Sequence, residues 1–294
     1  LVERIPSVLT LTRPGDVGAV ETPVLLDSPH SGTIYPIDFQ SAVPMDFLRR
    51  MEDSKVDQLY ERAPAQGASL LCAEFPRSYI DPNRGVDDLD WRLIADRWPG
   101  AINPTEKTRL GHGLIWRTCP GDRPMYDRLL SVSEVSNRIE HYWRPYHQAL
   151  EGEMSRLFSL FGAIWHINCH SMPSASSPFM PGAVGGRRAD IVLGDRDGRS
   201  CDPGFTEFVR DWFVNRGYRV RVNNPYKGAE LVRLCGRPDH NRHSLQIEIN
   251  RALYIDEKTL EPNRHFESLQ RDLSHLVGAI SVFALSASTR MAAE

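Results

Sequence analysis

Six short apolar runs, closed by turn-forming residues and mostly separated by helical patterns, constrain this chain more than any other feature. They read as strands at Val24–Asp27, Ser69–Ala73, Ala163–Asn168, Asp190–Leu193, Tyr218–Val222 and Leu245–Asn250. After the first, Phe47, Leu48, Met51, Val56, Leu59 and Tyr60 recur near a 3.6-residue period, which predicts a helix opened by Pro44. Ser131-Val132-Ser133-Glu134 is a capping box for a long amphipathic helix that should kink or restart near Pro145. Asp202-Pro203 starts another helix, and a last one covers about 260–284. Strands alternating with helices predict one α/β domain over 1–294, built on a largely parallel sheet. Residues 1–22 read as an irregular lead-in, 86–123 as an irregular insertion or lid, and 173–188 as a mobile loop rich in Ser, Pro and Gly.

Charge narrows the partners. The 35 Lys and Arg residues against 38 Asp and Glu give a net charge of −3. No clustered basic run suits nucleic acid or an anionic membrane surface. No apolar stretch approaches the roughly 20 residues of a membrane span, and no charged-then-apolar leader opens the sequence. Five cysteines, odd in number and without a Cys-x-x-Cys pair, argue against a disulfide framework or a thiolate zinc site. A cytoplasmic location is the expectation.

Ligands in open α/β sheets bind beyond the C-terminal ends of the strands. His30, in Asp27-Ser-Pro-His-Ser-Gly32, follows the first strand, and His170, in Asn168-Cys-His-Ser-Met172, follows the third. Either alone reads as an ordinary turn histidine; together they can converge on one metal, with a carboxylate as the usual third ligand of a hydrolytic site. The predicted helix after the first strand offers Glu52, Asp53 and Asp57, which spacing alone reads as a solvated face. His166 lies deeper on its strand, where a core role is expected, and Cys169 points to the opposite face from His170.

Leu245, Ile247 and Ile249 share one face of the last strand, with Gln246, Glu248 and Asn250 on the other. Strands inside such sheets are usually apolar on both faces. Either this strand is an edge, or Glu248 lines a site where it acts as general base. Asn83-Arg84 in a turn, with Arg187, Arg188 and Lys227 in loops, are cations and neighbours able to grip an anionic substrate or to form structural ion pairs. No phosphate loop, dinucleotide fingerprint or serine-hydrolase elbow is present.

Six segments in order resemble the N-formylglutamate amidohydrolase family: Asp27–Gly32, Tyr79–Arg84, Asn168–Met172, Asp190–Asp195, Asn224–Gly228 and Gln246–Arg251. The resemblance implies a phosphorylase/hydrolase-like α/β/α fold and a zinc-dependent amide hydrolase acting on a small anionic substrate, with N-formyl-L-glutamate the leading case. It implies zinc on His30, His170 and Glu52, with Asp53 as the alternative to Glu52. It also implies an Asn83-Arg84 carboxylate clamp and Glu248 as the catalytic base. Thr33 stands three residues after His30, so the short His-x-x-Glu motif of related zinc carboxypeptidases is absent. Two rivals remain: a same-fold hydrolase of another N-acyl amino acid or a cell-wall peptide, and a non-catalytic binding protein.

Overall fold

The computed structural model describes residues 2–175 and 188–291. Its main sheet contains β1 Glu3–Ile5, β2 Leu9–Thr12, β3 Val24–Ser28, β4 Ser69–Ala73, β7 Ile164–Met172, β8 Ile191–Gly194, β9 Val220–Val222 and β10 Arg242–Asn250. The order is β1-β2-β4-β3-β7-β10-β8-β9, and β5 Thr118–Cys119 pairs separately with β6 Arg123–Pro124. The central β4-β3-β7-β10 block is parallel, as is β8-β9, whereas β1-β2, β2-β4 and β8-β10 are antiparallel. The sheet is therefore mostly parallel.

Helices cover both faces. They are α1 Met45–Leu48, α2 Val56–Leu59, α3 Glu106–Arg109, α4 Val132–Arg138, α5 Arg144–Phe161, α6 Pro203–Val214, α7 Glu230–Cys235 and α8 Phe266–Met291. Strand side chains alternate between faces. Val24, Leu26, Trp165, Ile167, Leu245 and Ile247 pack under α2, α6 and α8. Leu25, Leu71 and Ile164 pack with Tyr146, Leu150 and Met154 of α5 and with Leu231 of α7. Two apolar layers, one on each side of the sheet, give the expected three-layer α/β/α architecture.

Three expectations need correction. The lead-in carries β1 and β2; the alternation Leu9-Thr10-Leu11-Thr12 places Leu9 and Leu11 in the core while the threonines are half-buried. β7 runs on through Met172, so His170 lies within the strand rather than after it. The expected restart near Pro145 is present: a π-helical turn, Ile139–Trp143, ends α4, and α5 begins at Arg144 with Pro145 in its first turn. The helix expected after β3 is broken: α1 passes into a 3₁₀ turn ending at Met51, Glu52 is extended (φ −69°, ψ 154°), and Lys55 is left-handed (φ 61°) before α2. Segment 86–123 is largely irregular yet anchored, with Leu89, Leu93, Leu114 and Ile115 buried against the α5 side.

Candidate metal centre and active-site cavity

β3 delivers His30 through a turn pressed against the chain leaving β4. A Cβ on Gly32 would clash with the Phe75 carbonyl, so the close approach requires glycine. His30 is 1% exposed. Its Nε2 lies 2.7 Å from Asp81 Oδ1, and Asp81 also takes Arg77 Nη2 at 3.0 Å and the Asn83 N–H at 2.9 Å. Burial works against the Asp81 charge, but Arg77, His30 and Arg84 overcome it and hold this carboxyl well below its usual range. An ionised Asp81 fixes the proton on Nε2, leaving Nδ1 as a lone pair. That Nδ1 is buried without a hydrogen-bond partner.

His170 shows the same arrangement. Asn168 donates Nδ2–H to Asp27 Oδ1 at 2.7 Å, which turns its own Oδ1 towards His170 Nε2 at 2.6 Å. Asn83 Nδ2 stands farther away at 3.2 Å, so the shorter bond decides that Nε2–H donates to Asn168. His170 Nδ1 then faces Asp53 Oδ2 at 2.9 Å, and His30 Nδ1 faces the same oxygen at 3.4 Å. Burial depresses the His170 pKa, which favours the neutral ring. The other Asp53 oxygen is occupied by Arg251 Nη2 at 3.1 Å and Ser171 Oγ at 3.3 Å.

Two neutral imidazole lone pairs and one carboxylate oxygen thus point at a common spot, with ligand atoms within 4.8 Å of one another. Lone pairs turned towards a carboxylate repel it unless a cation lies between them. The donor set of two nitrogens and one oxygen, each imidazole braced through its other nitrogen, fits a divalent metal.

Glu52 does not join this group. The backbone extends at Glu52, and the Asp53 N–H donates to the His30 carbonyl at 3.0 Å, turning Asp53 inwards and Glu52 away. Glu52 accepts the Tyr35 hydroxyl at 2.6 Å and faces a separate cleft with Arg49 and Asp57. Burial pushes its carboxyl up to about 7. The alternative, Asp53, is the carboxylate beside both histidines.

The three side chains lie in a cavity of about 670 Å³ that also exposes Glu248, Gln246, Arg77, Arg84, Lys107, Tyr226 and Lys227. β10 lies between β7 and β8, not at an edge, and its polar face meets the polar face of β7: Gln246 opposite Asn168, Glu248 opposite His170. The Gln246 amide donates to Glu248 Oε1 at 2.9 Å. Burial, and then the Asp53 charge, hold the Glu248 carboxyl well above its usual range. His166 has the expected core role, with Nε2 on Asp27 and Nδ1 on Ser244.

The loop cations fare differently. Arg84 donates Nε–H to the His112 carbonyl and Nη1–H to that of Asn83, and faces the cavity. Asn83 is 3% exposed, its Oδ1 accepts the Leu231 N–H, and it also lines the cavity. Lys227 is ion-paired with Asp197 at 3.0 Å, and Arg188 donates to the Tyr226 hydroxyl at 2.8 Å. Arg187 lies outside the described residues. Sequence reasoning placed Gln246 on the polar face without a role and gave none to Arg77, Asp81, Lys107, Asn168 or Arg251. All but Arg77 and Lys107 stand inside the six family-like segments, which was the available signal.

The family model described as N-formylglutamate amidohydrolase matches residues 22–255. An N-formylglutamate deformylase of Pseudomonas putida is 30% identical over 252 residues, covering 84% of this chain and 86% of that protein. One from Pseudomonas aeruginosa is 29% identical over 241 residues, covering 80% and 83%. The crystal structure of N-formylglutamate amidohydrolase from Ralstonia eutropha JMP134 aligns with a TM-score of 0.89 at 45% identity, covering 96% of this chain and 99% of that one. A gene product from Agrobacterium tumefaciens shares the fold, with a TM-score of 0.63 at 17% identity over 96% of both chains. Among the described residues no helix is long and apolar enough to cross a membrane. This chain belongs to the N-formylglutamate amidohydrolase family.

Proposed function

We propose that the protein hydrolyses N-formyl-L-glutamate to formate and L-glutamate in histidine degradation, using zinc held by His30, Asp53 and His170. The observation that carries this reading is the convergence of both Nδ1 atoms and Asp53 Oδ2 in the cavity that also holds Glu248. Zinc in such a site supplies Lewis acidity that polarises an amide carbonyl and brings the pKa of water towards about 7.

The protein groups supply the rest. Glu248 Oε1 is engaged by Gln246, which leaves Oε2 to take the proton of the attacking water. Its raised proton affinity suits that task. As the new C–O bond forms at the formyl carbon and the C–N bond breaks, Oε2 returns the proton to the departing amine. Arg84 grips the α-carboxylate, its guanidinium oriented by two main-chain carbonyls. Arg77 and Arg251 act indirectly, by holding Asp81 and Asp53 in place.

A hydrolysis panel of N-formyl, N-acetyl and N-succinyl amino acids on zinc-loaded protein tests the reading. Formate release should be fastest from N-formyl-L-glutamate and abolished by chelation. A zinc-bound protein inactive on the whole panel contradicts it.

A further inference from the structure

The substrate proposed above carries two carboxylates, and the cations around the cavity differ in whether the protein already neutralises them. Arg77 is paired with Asp81, Arg251 with Asp53 and Lys227 with Asp197. Arg84 spends its hydrogen bonds on carbonyl groups, and among the described residues no carboxylate lies within ion-pair distance of it or of Lys107. Both side chains line the same cavity. The Lys107 ammonium lies below its ordinary pKa, through burial of its charged end and then through Arg84 and Arg77, although the residue as a whole is exposed.

The backbone holds these two cations in a fixed relation. Asp88, close after Arg84, accepts the Thr105 N–H at 2.7 Å and the Thr105 hydroxyl at 3.0 Å, and it also takes the Thr108 hydroxyl. Those bonds clamp both ends of the turn that carries Lys107. The Lys107 carbonyl accepts the His112 N–H at 2.8 Å, and the His112 carbonyl accepts Arg84 Nε–H at 3.0 Å. A Cβ on Gly113 would clash with the Asp88 carbonyl and Thr108, so the close packing between these two loops depends on glycine. Two positive charges braced together, neither in a direct ion pair with a carboxylate among the described residues, favour an anion with two charges.

We propose that Lys107 binds the side-chain carboxylate of the substrate while Arg84 holds the α-carboxylate, so that segment 86–123 sets the preference for a dicarboxylate. This inference rests on the N-formylglutamate reading. It is tested by comparing kcat/KM for N-formyl-L-glutamate with that for N-formyl-L-norvaline, which ends in a methyl group instead of a carboxylate. In Lys107→Met the ratio of the two should fall about 10- to 100-fold, as expected for a lost charge-assisted bond. The loss should lie mainly in KM, and Lys107→Arg should restore much of the ratio. A ratio within about threefold of wild type in a folded Lys107→Met overturns the assignment while leaving the deformylase reading intact. A wild-type protein that cleaves neither compound overturns both.

Discussion

Asp53 and Glu52 differ by one position and one methylene, and the backbone between them decides which carboxylate meets the histidines. Asp53 lies between Arg251 on one oxygen and two imidazole nitrogens on the other, whereas Glu52 is spent on Tyr35. Partners behind the ligands matter as well. Asp81→Asn removes the charge that fixes the His30 proton on Nε2, and it should weaken zinc about 10- to 100-fold, read by competition with a chromogenic chelator. Glu248→Gln keeps the shape of the site and removes the base. It should retain stoichiometric zinc while kcat drops by about 10²–10⁴-fold. Near-normal kcat in that variant would mean that another group moves the proton.

At the scale of elements, the polar faces of β7 and β10 line the cavity, and their opposite faces pack into the apolar core. Asp27, His166, Asn168 and Ser244 form a buried hydrogen-bonded row beneath the site. His166→Ala strands the Asp27 charge inside the sheet and should cost about 3–5 kcal/mol in urea unfolding. Much of this was legible beforehand. The polar alternation of Gln246, Glu248 and Asn250 marked a strand that had to face either water or a site, and it faces the site. His30 and His170 stood out because strand ends gather functional groups, and the fold brings both to the same cavity. The break at Glu52 is hidden in the sequence because Phe47, Leu48, Met51, Val56, Leu59 and Tyr60 mimic one helix. The apolar period persists even though the chain extends at Glu52 and turns left-handed at Lys55, since both halves pack on core surfaces. Tertiary hydrogen bonding to the His30 carbonyl, invisible in a local pattern, sets that break. Lys107 was missed for a related reason: only the folding of 86–123 over the sheet brings it to the cavity.

For the whole molecule, the buried Asp27–His166 pair ties stability to pH. Burial works against a charged His166, but Cys235 and Asp27 outweigh it and raise the imidazole to about 10. A raised histidine contributes stability that is full below its unfolded pKa of about 6.5 and fades as pH rises through about 10. Asp27 is shifted down: burial opposes its charge, and His166, Asn168 and Tyr146 overcome that, so its contribution is lost as pH falls below 3.8. The stability gap between wild type and His166→Gln, measured by urea midpoints, should therefore narrow between about pH 6.5 and 10. A gap constant over that range would place the pair's proton elsewhere.

Sheet order, the broken helix and the anchored segment 86–123 bring two histidines, Asp53, Glu248 and cations to one cavity, and what that cavity holds decides its chemistry. Anomalous scattering from zinc-soaked crystals, collected on both sides of the zinc edge, addresses this most directly. A single strong peak bonded to Nδ1 of His30, Nδ1 of His170 and the Asp53 carboxylate, with Glu248 beside it, is the expected result. A peak bonded to Glu52, or imidazoles ligating through Nε2, would contradict it.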